Sequence, residues 1–504
     1  MATMDIPTKT QESKVGMALV DIQGRIHNKI TMGNPKAFIK IKRKDGGYRP
    51  ISERTGDFGE VEQTLDEQDR RDQASRCMDC GVAFCHWGCP VGSKIPEWQD
   101  AVYRGKWDEA YQILTSTNFM PEITGRICPA PCEKSCVLAI HKEAVTIREN
   151  ECSVVEHAFE GGFVSPKAPK KRTGKTVAVI GSGPAGLSAA DLLNKAGHTV
   201  TVFEQDDAIG GLLRYGIPDF KLNKGIIDRR LMIMEAEGIT FKVNTRVGVD
   251  VTEEKLVTDF DAVLLSVGAM KPRDLVVEGR ELEGVYFAMK YLKQQNKVIR
   301  GEEFSETDRL SAKDKNVLVI GGGDTGSDCV GTAIRQKALS VTQIEIMPMP
   351  PTERTSENPW PYWPTTMRTS SSHEEGCNRR WSLITKKLNS IDGRVVSVDV
   401  VSVRWIKDDK GRMQMEEIVG SGETIKADLV LLAMGFVSPD HEGLLDNLGV
   451  DYDGRGNILA AKQNMTSHPK VFAAGDAARG ASLVVHAIQS GREAAFHIDG
   501  FLRG

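Results

Sequence analysis

The apolar positions of this chain change rhythm along its length. From Asp66 to Ala74 and from Pro96 to Leu114 they recur at helical spacing, with Trp98, Val102, Ala110, Ile113 and Leu114 in phase, which predicts helices. Ahead of them, residues 1 to about 60 mix charge with turn formers such as Met32-Gly33-Asn34-Pro35 and Asp45-Gly46-Gly47, the pattern of an extended arm. The Gly-, Pro- and Lys-rich stretch Gly161 to Lys175 reads as a linker. Beyond it, the apolar residues gather into short β-branched runs. Thr176-Val177-Ala178-Val179-Ile180 leads through glycines to a helical Leu187 to Ala196 and then to Thr199-Val200-Thr201-Val202-Phe203. Continuous apolar runs predict strands covered on both faces, and the strand, turn, helix, strand order predicts a doubly wound parallel sheet. The same order recurs from Asn316-Val317-Leu318-Val319-Ile320 through a helix to Ala333 and a strand near Val341 to Ile346. Apolar strands at Ala262 to Val267 and Leu429 to Met434, ending at Gly268 and Gly435, are expected to close the two sheets.

Length and charge narrow the function. At about 100–200 residues per domain, 504 residues suggest three domains. Lys and Arg number 65 against 69 Asp and Glu, a net charge of −4, so no basic field favours nucleic acid. No run of membrane-spanning length occurs, and the polar N-terminus does not resemble a signal peptide, so a soluble cytoplasmic protein is expected. Eight of the ten cysteines fall between Cys77 and Cys152. In a reducing compartment such crowding points to metal or catalytic thiolates rather than disulfides.

Each doubly wound unit opens on a glycine motif. In Gly181-Ser182-Gly183-Pro184-Ala185-Gly186 the first glycine permits the tight turn. Gly183 lets the backbone approach a pyrophosphate, and Gly186 allows close strand–helix packing, with the helix N-terminus supplying N–H groups. Glu204, at the end of the second strand, stands where an acid accepts ribose hydroxyls. The second motif is Gly321-Gly322-Gly323-Asp324-Thr325-Gly326, with Glu345 at the equivalent strand end. Glu345 is either a ribose ligand or an exposed strand residue. Arg335 and Lys337 are candidates for a ribose 2′-phosphate. Two dinucleotide sites suggest a flavin and a nicotinamide. In Val471-Phe472-Ala473-Ala474-Gly475-Asp476 a strand ends in Gly-Asp ahead of an amphipathic helix from Leu483 to Ala495, a setting in which the aspartate binds flavin ribityl hydroxyls.

The thiols read Cys77-x2-Cys80-x4-Cys85-x3-Cys89-Pro90, then Cys128-x3-Cys132-x3-Cys136, then Cys152. Such short intervals wrap iron–sulfide cubes, and eight candidates at four per cluster give two 4Fe–4S centres. Two four-cysteine zinc sites need the same count. Cys329 and Cys377 fall outside the group and read as ordinary thiols.

Together these residues resemble the small (β) subunit family of glutamate synthase over nearly the whole chain. The resemblance is carried by Arg76-Cys77-Met78-Asp79-Cys80-Gly81, Gly125-Arg126-Ile127-Cys128-Pro129-Ala130-Pro131-Cys132, Gly210-Gly211-Leu212-Leu213-Arg214-Tyr215-Gly216-Ile217-Pro218 and Asn358-Pro359-Trp360-Pro361. The electron-input portion of dihydropyrimidine dehydrogenase is a related module. The resemblance implies an α/β fold of two Rossmann-like dinucleotide-binding domains, the FAD domain split by the NAD(P)H domain, behind an α-helical iron–sulfur domain. The implied bounds are 1–160 for the arm and cluster domain, 161–174 for the linker, 175–284 and 438–504 for FAD, and 285–437 for NAD(P)H. It implies NADH or NADPH oxidation at FAD and conduction through two 4Fe–4S clusters to a large (α) subunit, where FMN and a further iron–sulfur centre support glutamate formation from glutamine and 2-oxoglutarate. A hetero-oligomer is expected.

By the same resemblance, Cys77, Cys80, Cys85 and Cys136 hold one cluster, and Cys89, Cys128 and Cys132 hold the other. Its fourth ligand is Glu151, at the family's Gln or Glu position, or Cys152, the stronger ligand by chemistry. The FAD set is Gly181, Gly183, Pro184, Ala185, Gly186, Glu204, Gly211, Leu212, Gly216, Ile217, Gly475 and Asp476. Pro218 is expected to support the flavin ring, as is Lys221 unless it is a solvated charge. The nicotinamide set is Gly321, Gly323, Asp324, Thr325 and Gly326, to which Arg335 is added as the 2′-phosphate candidate named above. Where many NADPH-using relatives carry paired arginines this chain has Ile346-Met347-Pro348-Met349-Pro350, a departure that leans toward NADH. Hydride passes directly between nicotinamide and flavin, so no catalytic side chain is nominated. The alternative is an input subunit of the same design serving a different complex.

Overall fold

Residues 34–408 and 410–504 are described by a computed structural model. The expected arm therefore lies largely outside the described residues, Met32-Gly33 included. Its described part carries two single-turn helices, Ala37–Lys40 and Ile51–Arg54. Buried Arg76 ties it down, donating to the carbonyls of Ile41, Glu143 and Ala144 at 3.2, 2.8 and 2.8 Å.

The helical pattern of the cysteine region resolves into separate helices. Glu67–Ser75 starts where Asp66 Oδ1 accepts the Asp69 N–H at 2.8 Å, satisfying one of the four N–H groups a helix start leaves open. The Pro96 to Leu114 periodicity is interrupted, giving Ile95–Tyr103 and Trp107–Thr115, because Gly105 adopts φ +71° between them. Trp98, Val102, Ala110 and Leu114 nevertheless share one core with Val154 of the long helix Ile147–Glu160.

Downstream stand two five-stranded sheets, each wholly parallel. In the first the order is Val471–Ala473, Ala262–Leu265, Thr176–Ile180, Thr199–Phe203, Thr240–Lys242. In the second it is Val285–Phe287, Leu429–Leu432, Asn316–Ile320, Ser340–Glu345, Asn378–Trp381. The first sheet thus recruits its last strand from beyond the whole second sheet. Lys271–Pro272 and Phe436–Ser438, pairing antiparallel, carry the chain out and back. The C-terminal helix Val484–Arg503 closes against Pro184–Lys195. A Cβ on Gly491 would lie 2.1 Å from the Ala185 carbonyl oxygen, so only glycine permits this approach.

An antiparallel layer, Leu383–Ile391, Arg394–Lys407, Met413–Glu417 and Glu423–Lys426, was not expected. Its clearest signal was local, the Asp392-Gly393 hairpin turn; the buried positions Val395, Val398, Val400 and Val403 fall at spacings of three, two and three because the pairing is irregular. Its Val395, Val398 and Val400 cover one face of the second sheet.

Candidate functional site

Both glycine turns have the geometry their spacing predicts. Gly181 (φ +96°) and Gly321 (φ +123°) press against neighbouring carbonyls, where a Cβ would stand 2.5 Å from the Ser266 oxygen and 2.3 Å from the Ala433 oxygen. Gly186 and Gly326 bring the helix onto the turn, their would-be Cβ atoms 2.1 and 2.3 Å from the carbonyl oxygens of Gly181 and Gly321. At Gly183 and Gly323, by contrast, a Cβ would meet nothing within 4 Å. The middle glycine of each turn therefore faces a gap at a helix N-terminus, the cradle a pyrophosphate fills.

The acid at each strand end is held by its own turn. Glu204 Oε2 accepts the Ser182 N–H at 3.2 Å and the Ser182 hydroxyl at 2.5 Å, while Oε1 accepts the Asp206 N–H at 2.9 Å. The Ser182 hydroxyl oxygen also accepts the Gly210 N–H at 2.9 Å, so this side chain, absent from the sequence reading, joins the turn to the Gly210-Gly211 loop. Gly211 abuts Gly183, with its would-be Cβ 3.0 Å from the Gly183 Cα. Pro184 and Ala185 begin the helix, and Ala185 touches Gly475, where a Cβ would come within 2.7 Å. Gly475 N–H donates to Ser490 Oγ at 2.8 Å. Asp476 accepts the Ser482 hydroxyl at 2.7 Å, and burial pushes its carboxyl up to about 6. Leu212 is 37% exposed and opens the single-turn helix Leu212–Tyr215 that Gly216 ends, while Ile217 packs on the core beneath the first sheet.

Lys221, expected at the flavin ring or as a solvated charge, is ion-paired. Its ammonium pairs with Asp328 at 2.5 Å, on the helix of the second motif, and the paired carboxylate holds its pKa up against burial. Asp324 and Thr325 begin that helix, and Glu345 Oε2 accepts the Gly322 N–H at 2.6 Å. Arg335 is the clear departure. It closes the far end of the 12-residue helix Asp324–Arg335, about 17 Å from the glycine turn at 1.5 Å per residue. There its fully buried guanidinium pairs with buried Glu375 at 2.5 Å and stacks 3.8 Å from the Phe220 ring centroid. Lys337 also turns away, donating to the Thr55 carbonyl at 2.9 Å. Neither reaches a ribose at the strand's carboxyl end.

The thiols converge in two groups. Cys77, Cys80, Cys85 and Cys136 line one apolar cavity with Ile95, Pro96, Leu138, Val145 and Ile147. Gly88 makes the convergence possible: a Cβ there would lie 1.9 Å from Ser135 Oγ, so the helix carrying Cys85 seats directly on the segment carrying Cys132 and Cys136. Burial pushes the Cys77 thiol up to about 12, and the neighbouring Cys136 and Cys80 push it the same way. Cys89, Cys128 and Cys132 form the second group with Glu151. Burial raises Cys89 to about 11 and Cys128 to about 12, and nearby Glu151 adds to both. Burial raises the Cys132 thiol well above its usual value, and Cys89 and Cys128 push it the same way. Loading a cluster must therefore expel protons.

Glu151 and Cys152 point to different places. Glu151 Oε1 accepts the Thr124 hydroxyl and, at 3.2 Å, the Asn118 amide. Cys152 instead faces a charged cavity lined by Glu60, Glu62, Arg70, Arg126, Glu149 and Lys221, with no other cysteine. Its backbone is the surface on which Gly125 packs, since a Cβ there would come within 2.7–2.9 Å of Cys152 atoms. Asn118 and Thr124, which orient Glu151, had no signal of their own in the sequence. All ten cysteines are free thiols. Among the described residues no three or more His, Cys, Asp or Glu side chains close around a point as one metal ion requires. Thiols around a cavity suit a polynuclear cluster better than zinc.

Residues 54–163 match the family described as dihydropyrimidine dehydrogenase domain II, 4Fe-4S cluster, and residues 175–358 and 394–491 match pyridine nucleotide-disulphide oxidoreductase. The chain is 50% identical over 477 residues to the glutamate synthase (NADPH) small chain of Mycobacterium tuberculosis, covering 94% of this chain and 97% of that one. Identity is 38% to the Escherichia coli protein of the same name, covering 92% and 98%. In Schizosaccharomyces pombe, 42% identity covers 98% of this chain but 24% of a longer chain named glutamate synthase (NADH). Among solved structures, FprA of M. tuberculosis in complex with NADPH shares the fold, with a TM-score of 0.52 at 18% identity, covering 65% of this chain and 85% of that one. No described helix is long and apolar enough to cross a membrane. With twin dinucleotide turns, two thiol groups and half its residues shared with such a relative end to end, the chain belongs to the glutamate synthase small-chain family of NAD(P)H-dependent flavin oxidoreductases.

Proposed function

We propose that this chain is the electron-input subunit of a glutamate synthase, oxidising NAD(P)H at FAD and passing electrons through two 4Fe–4S clusters to a large FMN-bearing chain that makes glutamate from glutamine and 2-oxoglutarate. The observation that carries the reading is the pair of open glycine cradles in one chain with two separate thiol groups. FAD, when bound, supplies the exchange between paired and single electrons. The protein's part is placement. Gly183 and the helix behind it receive the FAD pyrophosphate, Glu204 takes ribose hydroxyls, and Asp476 takes ribityl hydroxyls. Gly323 and the helix from Asp324 receive the nicotinamide nucleotide. The FAD domain spans 175–284 and 438–504, and the NAD(P)H domain spans 285–437.

Packing supports an order for the clusters. Cys89 and Cys128 pack against the core beneath the first sheet, whereas Cys77, Cys85 and Cys136 pack only within the helical core. The Cys89, Cys128, Cys132 and Glu151 site is therefore the inner station and the Cys77, Cys80, Cys85 and Cys136 site the outer one. Glu151 is the reading the geometry favours for the fourth inner ligand. Both of its hydrogen bonds fall on Oε1, which leaves Oε2 for iron. Cys152→Ala is expected to keep both cluster signals in the EPR spectrum of the reduced protein, and Glu151→Ala to shift or remove one. Loss of a signal in Cys152→Ala alone sinks the assignment. The function itself is tested by anaerobic reduction with NADH or NADPH, with and without the large chain, assayed for glutamine-dependent glutamate. Flavin reduction without glutamate in the complete mixture points to a different partner.

A further inference from the structure

One motif has found no use in either cofactor site. Asn358-Pro359-Trp360-Pro361 belongs to a loop beyond the second sheet's fourth strand, yet it meets the cluster domain. Arg354 bridges the two, donating to the Tyr362 carbonyl at 2.7 Å and to the Lys134 carbonyl at 3.0 Å, between Cys132 and Cys136 in the chain. Trp360 thereby lies 4.7 Å from Phe84, Phe84 lies 6.5 Å from Trp87, and Trp87 lies 5.7 Å from Tyr362, centroid to centroid. Four rings from two distant segments form one connected face. The face is open, with Trp87 59% and Tyr362 56% exposed, and Val82, two residues before Phe84 in the chain, is 72% exposed.

The place of this face matters more than its area. Val82, Phe84 and Trp87 all fall between Cys80 and Cys89, and Phe84 also lines the outer cavity. The face is thus the outer wall of the station from which electrons must leave. Clustered exposed aromatics mark protein contacts, and Trp and Tyr supply much of their energy when a partner desolvates them. The occupant follows from the electrons and from the relatives. Whatever covers this wall must hold a one-electron acceptor. In the S. pombe relative this whole chain is 24% of one longer chain, so there the remainder is a permanent companion.

We propose that the Val82, Phe84, Trp87, Trp360 and Tyr362 face is the docking surface for the large FMN chain, seating that chain's acceptor over the outer cluster. The proposal rests on the electron-input reading above. Because the contact is apolar, the complex should resist salt better than one made by ion pairs.

The test uses the cluster-loaded, FAD-loaded protein and the purified large chain. Val82→Ser/Trp87→Ser alters the rim beside the cluster, and Tyr362→Ser alters it from outside the cysteine segment, so a loading defect in the first does not end the test. EPR of both clusters and NAD(P)H-dependent ferricyanide reduction confirm that each variant is intact. The expected result is affinity for the large chain weakened about tenfold or more in each, with glutamate formation lost at limiting large chain and recovered at high concentration. Unchanged affinity in both intact variants overturns the proposal. So does a wild-type self-association that Trp87→Ser abolishes while large-chain affinity stays, since the face would then join two copies of this chain. Failure of the wild-type protein to bind the large chain strikes the electron-input reading itself and is distinct from either result.

Discussion

The two glycine turns are near copies in backbone and opposites in enclosure. Around the first, Gly211 and Gly475 crowd in, and Ser182 and Glu204 are buried. Around the second, Gly323 and Asp324 are exposed and Glu345 is only part-buried. Its carboxylate takes two backbone N–H groups, from Gly322 at 2.6 Å and Met347 at 3.1 Å, without a hydroxyl bridge like that of Ser182. The difference suits a resident group in one fold and a visiting one in the other. A cofactor that stays benefits from a walled site with its donors fixed, whereas a substrate nucleotide must enter and leave in every turnover.

The sharpest way to break this comparison is to remove both acids in turn. Glu204→Ala strands the buried Ser182 N–H and hydroxyl and the part-buried Asp206 N–H, and FAD affinity should fall about 100-fold, read as flavin lost on gel filtration. Retained flavin would show that Glu204 only braces the turn. Glu345→Gln should leave flavin content untouched and raise KM for NAD(P)H about three- to tenfold with kcat little changed. A loss of FAD in that variant would mean the two folds are not independent. The smallest effect is in pH. Ribityl hydroxyls donating to Asp476 favour its ionised form, and burial holds the free carboxyl at about 6. FAD affinity should therefore rise severalfold as pH increases through about 6, a slope that Asp476→Asn flattens. An unchanged slope would remove Asp476 from the flavin site.

The strand, turn, helix and strand order around Gly181 and Gly321 was legible because a continuous apolar run and a glycine spacing are local properties. The antiparallel layer carries only the Asp392-Gly393 turn as a clear local signal, because irregular pairing spaces its buried residues Val395, Val398, Val400 and Val403 by three, two and three and blurs the period of two. Arg335 misled for a different reason. Nearness in sequence to the second strand is not nearness to its carboxyl end, since the intervening helix runs back along the sheet and delivers its last residue to the opposite edge.

By itself the sequence determined the two turns, the helices that follow them and the set of thiols able to bind iron, because each depends on residues a few positions apart. Spacing alone did not divide the thiols; the family resemblance implied a division, and the fold supplies its physical reason. Cys136 joins Cys77, Cys80 and Cys85 across more than fifty residues because Gly88 lets one short helix lie on another. Tertiary structure alone separates neighbours on one helix. Successive residues point about 100° apart around a helix, so Glu151 faces the thiols while Cys152, the better ligand on paper, faces a charged cavity. Spacing offered both candidates, and the helix's orientation sets them apart, Glu151 beside Asn118 and Thr124 and Cys152 on the charged cavity.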